Sequence, residues 1–122
     1  MPNEQAQIRE WVARFKYPER VKQIAVPVLA TAQTERLKAF ESSFSRVALD
    51  VLEALQKGQM PAAEADAFFS LVDFYLDEYH LKDQLPEDLQ DIFFDGHILH
   101  DYGSKFGPDL EEMRKTLTAY VS

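Results

Sequence analysis

Cysteine is absent from the 122 residues, which excludes disulfides, thiolate metal sites and cysteine nucleophiles. A chain without it suits a reducing cytosol and does not require one. Glycine is scarce, four residues in all, so a loop that cradles phosphate is hard to build, and no dinucleotide fingerprint occurs. No stretch approaches the roughly 20 apolar residues of a membrane span. The opening residues, MPNEQAQIREWVARFK, mix charges and hold no apolar run of signal-peptide length. The expectation is a soluble, cytoplasmic protein. Repeats, low-complexity segments and internal linkers are also missing. No serine sits in a G-x-S-x-G elbow or beside a histidine in sequence, which leaves only a triad assembled in space.

Basic charge is scarce in one half alone. Residues 1–60 carry nine Lys/Arg and seven Asp/Glu, a balance of +2, and residues 61–122 carry four and fourteen, a balance of −10. The two sum to the net −8. Segment 61–101 holds eleven acids and a single lysine, Lys82. Phosphate backbones bind cationic surfaces, so no nucleic-acid partner is expected there. A basic protein surface or a cation would be attracted, although acidic charge also simply keeps a domain soluble.

What is present is helical periodicity. At 46% apolar, the chain suits one domain with a single core. One long amphipathic helix is expected from about Ala30 to Leu55, as the spine of a bundle. Ala30, Gln33, Leu37, Phe40, Phe44, Val47, Val51 and Ala54 alternate steps of three and four. Leu37, Phe40, Phe44, Val47, Ala48, Val51, Leu52 and Leu55 fall within roughly 140° of its circumference. Before it, Asn3 caps a helix to about Lys16 with Ile8, Trp11, Val12 and Phe15 on its apolar face. Tyr17-Pro18 ends that helix, and Pro18 opens a short one carrying Val21, Ile24 and Ala25. Pro27 is expected to block continuation and restart the chain as the spine. The competing reading makes Val26, Val28 and Leu29 a short extended piece.

After the spine, Gly58 suits a C-cap and Pro61 a helix start. The helix 61–80 that follows is expected antiparallel to the spine, with Phe68, Phe69, Leu71, Val72, Tyr75, Leu76 and Tyr79 on one side. Asp66, Ser70, Asp73, Asp77 and His80 lie within about 80° on the other. Pro86, followed by acids, starts a helix to about Tyr102, on which Leu89, Ile92, Phe93, Gly96, Leu99 and His100 share a face. Asp95-Gly96 between IFF and HIL is alternatively a hairpin turn, but no other segment offers strands to pair with. As a helical glycine costing about 1 kcal/mol, Gly96 points to a kink or a close helix contact. Pro108 opens the last helix, with Leu110, Met113, Leu117, Tyr120 and Val121 inward. The fold class is all-α: a single-domain helical bundle of four main helices plus a short N-terminal extra helix near residues 18–26.

Two constellations carry functional readings. Large apolar groups off a helix's main face are buried by a second layer or mark an interface. Phe74, Phe94 and Ile98 are such groups, and with the carboxylates Asp66, Asp73 and Asp77 they outline a surface for a basic protein partner or for self-association. The leading reading is a non-enzymatic interaction or regulatory domain, homodimeric in one version. It needs no cofactor. In the competing reading, His97 and His100 at i, i+3, with Asp101, and Asp77 with His80 at the same spacing, hold a divalent metal between facing helices. A metal-dependent hydrolase is one form of that reading. The pattern lacks the paired Glu-x-x-His units of di-iron bundles, and Asp77 and His80 project from a polar side.

Overall fold

Three prolines open three of the helices. In the computed structural model, which describes residues 4–32 and 37–121, Pro18, Pro61 and Pro86 stand at N-caps with ψ of 142°, 146° and 146°. Each proline is thus one residue earlier than a first-turn position, and its carbonyl accepts the N–H of Lys22, Ala65 or Gln90. The order is α1 (Glu4–Val12), α2 (Glu19–Leu29), α3 (Leu37–Gln56), α4 (Ala62–Glu78), a first 3-10 turn (Lys82–Gln84), α5 (Glu87–Gly96), a second 3-10 turn (Leu99–Asp101) and α6 (Leu110–Thr118). The all-α bundle expected from the sequence is what folds, with six α-helices and no strand among the described residues. None of them is long and apolar enough to cross a membrane.

Among the described residues the long helix runs Leu37–Gln56 and does not include Ala30. Ala30 is the C-cap of α2, and Gln33 lies outside the described residues. The cause is Pro27, which stands inside α2 and does not end it. Its missing N–H and ring cost a helix interior about 3 kcal/mol. Against that, α2 buries Val21, Ala25, Val26, Val28 and Leu29, and each larger aliphatic chain contributes about 1.5–3 kcal/mol. Burial wins, so Val26, Val28 and Leu29 are helical and not extended. Pro27 sits on the exposed side, and the Thr31 hydroxyl donates to the Val28 carbonyl to close the helix end. Likewise α1 stops at Val12 and runs out in turns to Phe15.

From Leu37 onward the stripe behaves as its spacing requires. Phe40, Phe44, Ala48, Val51, Leu52 and Leu55 are buried, with Leu37 and Val47 partly covered. Gly58 follows with φ +72°, the left-handed conformation that glycine enters at least cost. Yet the most surrounded helix is α4. It packs on α2, α3, α5 and both 3-10 turns, whereas α3 packs on α2, α4 and α6. A helix covered on most sides shows only weak amphipathicity, and the polar side of α4 is covered too. Tyr79, placed with the apolar residues by its spacing, lies past the helix end and half exposed. Phe40, Phe44, Phe68, Phe69 and Phe93 are all fully buried and form the aromatic heart where α3, α4 and α5 meet.

α5 ends at Gly96, short of the Tyr102 that periodicity suggested, and the hairpin does not form. A Cβ built on Gly96 would lie 2.4 Å from Phe69 Cγ, so α5 and α4 touch backbone to ring. The second 3-10 turn then buries Leu99 completely. At the far side, the Asp109 side chain accepts from the Glu111 and Glu112 amides and caps α6. Leu110, Met113 and Leu117 are buried, and Tyr120 is partly covered. The Tyr120 hydroxyl donates to Asp88 at the start of α5, and that bond, with some burial, pushes the phenol up to about 12.

Candidate functional site

Asp66, Ser70 and Asp73 are spaced four and three apart on α4 and so share one face. The pattern alone offered this face to a basic partner. Instead the chain leaving α5 lies across it in the opposite direction, His97 against Ser70 and Asp73, then His100 against Asp66. The break after Gly96 makes this possible, because it lets Leu99 enter the core while both imidazoles reach α4.

Asp73 is the critical group. It is 8% exposed, and with Ser45 it makes up the buried polar side chains among the described residues. A buried carboxylate is costly unless paired. Here Lys82 Nζ reaches Oδ1 at 2.7 Å, and His97 Nε2–H donates to Oδ2 at 2.8 Å. Burial pulls the Lys82 ammonium down, but the hydrogen bond and charge of Asp73, aided by Asp77 and Asp83, hold it above its ordinary value. Lys82 is the one lysine of the acidic segment, a signal in the sequence that it was a counter-ion rather than a chance residue.

With Nε2–H committed to Asp73, His97 Nδ1 lies 3.0 Å from Ser70 Oγ. Ser70 Oγ also lies 3.3 Å from Asp66 Oδ1. Serine, imidazole and carboxylate thus stand in the order of a nucleophilic triad, assembled in space as sequence spacing could not show. The rest of an acyl-transfer site does not accompany them. Ser70 lies inside α4, where backbone amides serve the helix and supply no oxyanion donors. Three surface grooves among the described residues, two along α2 and one beside Trp11, are lined by none of the three residues. The arrangement fastens α5 to α4.

His100 forms the second fastener. Its Nδ1–H donates to Asp66 Oδ2 at 2.6 Å, and Nε2 lies 3.5 Å from Asp101 Oδ2. The bond to Asp66 raises its pKa; slight desolvation opposes this, and the charges of Asp101 and Asp66 add to it. A histidine whose folded pKa is raised stabilises the fold fully below the ordinary value near 6.5, and loses that contribution as pH rises through the folded value. His100 C–H resonances are therefore expected to titrate above 6.5, and Asp66→Asn to bring the midpoint back toward it. Melting temperature is expected to fall more between about pH 6 and pH 8.5 in the native chain than in His100→Gln.

The remaining sequence candidates scatter. His80 has φ +56° just past the end of α4 and is exposed, its carbonyl accepting from Gln84. It is fourteen residues beyond Asp66, about 20 Å along a helix, so it cannot join His100. Asp77 is exposed near Lys82. The set Asp77, His80, His97, His100 and Asp101 therefore does not converge, and no group of three or more such side chains among the described residues is placed to hold a metal ion. Asp66 and Asp73 are engaged within the chain, by His100 and by Lys82 with His97. Phe74 packs on Trp11 and Phe15 of the N-terminal segment, with ring centroids 5.7 and 5.1 Å away. Ile98 is half-buried, and Phe94 stands free at 70% exposure. His100, placed on the inward face by its spacing, is at the surface, and His97 is the histidine that reaches a buried partner. No protein-family description, curated protein or solved structure matches this chain.

Proposed function

We propose that this chain is a non-enzymatic protein-interaction module whose docking surface is the acidic and aromatic face around α5. One observation carries the reading. The exposed large hydrophobics among the described residues are Phe74, Tyr79, Phe94, Tyr102 and Phe106, so all of them fall within residues 74–106. That stretch also holds eight acids against two lysines. Single exposed apolar residues are ordinary, but their confinement to one segment is not. Phe94 and Phe106, at 70% and 69% exposure, are the knobs, and a partner would supply an apolar recess rimmed with Lys or Arg. The carboxylates beside Phe94 support this. Partial burial, then the charges of Asp91 and Asp109, raise the pKa of Asp95, a crowding that a partner's cation would relieve.

A photo-crosslinking side chain placed at Phe94 in the intact chain tests the reading. Discrete adducts are expected from position 94 and none from Gln56, an exposed position on α3. Replacing Asp91 and Asp95 with lysine is expected to remove them. Adducts of equal yield from both positions, or none from 94, would sink it.

A further inference from the structure

Two grooves flank the exposed ridge of α2. The larger, of about 500 Å³, runs between α1 and α2 over Val12, Ala13, Val26 and Pro27, with Arg9, Glu19 and Lys22 also lining it. The second, of about 410 Å³, lies between α2 and α3 and shares Gln23 and Pro27 with the first. Both are of the size that buries a side chain or a small ligand, about 300–1,000 Å³.

Resting on the interaction reading above, we propose that the α1–α2 groove is the acceptor for α5 of a second copy of this chain, so that molecules join head to tail. Phe94 of one copy would enter the groove, with Asp91 and Asp95 meeting Arg9 of the next and competing with Glu19 for Lys22. Charge complementarity supports this choice of occupant. The half of the chain that builds the groove has a balance of +2, and the half that carries Phe94 has −10. The groove's acid, Glu19, is 3.6 Å from Lys22, whose side chain is 15% exposed, and Arg9 is the other cation among the lining residues. Topology adds a second argument. α2 and α5 each pack on α4 and make no extended contact with each other, so knob and groove are separate surfaces of one molecule. A contact between unlike surfaces is heterologous, and it propagates unless its rotation closes a ring. The net −8 of each copy opposes approach at long range, so the local match acts where salt screens the rest, at a Debye length of about 8 Å in 0.15 M salt.

Sedimentation velocity on the full chain in 0.15 M salt tests this with two variants, Phe94→Ser with an intact groove and Arg9→Glu/Lys22→Glu with an intact knob. The native chain is expected to grow past a dimer as concentration rises. Each variant alone is expected to stay monomeric with native circular dichroism. Their equimolar mixture is expected to form a dimer and stop there, because each leaves one end broken. A native chain that is monomeric at millimolar concentration overturns the proposal, as does a mixture that remains monomeric or a native species that halts at two copies. Adducts from position 94 to a different polypeptide, with a monomeric native chain, would remove the head-to-tail contact and leave the interaction module standing.

Discussion

Phe44→Ala is expected to lower the unfolding free energy by about 4 kcal/mol, within the range for truncating a buried aromatic. Phe44 is fully buried, with ring centroids 5.5 Å from Phe40, 6.2 Å from Phe68, 5.9 Å from Phe69 and 4.9 Å from Phe93. It is the ring that touches the other four, so alanine leaves a cavity whose walls belong to three different helices. Phe69 and Phe93 cannot fill it without separating α5 from α4, because Gly96 already rests on the Phe69 ring. The cost should thus keep its cavity component as well as the lost transfer free energy. Domains of this size are stable by about 5–15 kcal/mol, so the loss would be a large fraction of the whole. Urea unfolding should show a lower midpoint with an unchanged slope. Phe94→Ala, made in parallel, should move the midpoint by less than about 0.5 kcal/mol, since its ring lies in water. Equal losses in the two variants would mean that the aromatic heart is placed wrongly.

Periodicity revealed which residues share a face, and it was silent on what covers that face. The stripe from Leu37 to Leu55 was legible because steps of three and four mean the same thing in every helix, and those residues are the buried ones. Asp66, Ser70 and Asp73 were equally legible as neighbours. That the face is roofed by His97, His100 and Lys82 was not, because the roof depends on where α5 stops. Where α5 stops, Gly96 lies against Phe69, 27 positions away, a contact that no local pattern encodes. Pro27 shows the converse. The local rule against internal proline is sound, yet the apolar residues on either side of it outweighed it once they had a core to enter. Phe74 and Phe94 looked alike in sequence, both off the main arc of a helix. One found Trp11 and Phe15 on a distant segment and the other found nothing, a difference set by topology alone.

Gly96→Ala is expected to destabilise the chain by about 2 kcal/mol and to loosen the polar site with it. The direction follows from two opposed effects. Alanine in place of a helical glycine gains about 1 kcal/mol from reduced backbone entropy in the unfolded chain. The new methyl would lie 2.4, 2.5 and 2.8 Å from Phe69 Cγ, Cβ and Cδ1, all closer than real contacts allow. Two of those atoms are at the root of the side chain, so rotation of the ring cannot clear them, and Phe69 is itself fully enclosed. The helices must therefore separate, at the upper end of the 1–3 kcal/mol typical of overpacking. Because His97 is the next residue, the same displacement draws its Nε2 away from the Asp73 carboxylate, which is then left with Lys82 as its partner. The variant should thus lose stability and also the His97–Asp73 bond, visible as a change in the His97 ring nitrogen shifts. Phe69→Leu in the Gly96→Ala background removes ring atoms from the clash and is expected to recover part of both. A Gly96→Ala chain as stable as the native one would show that α5 does not rest on Phe69.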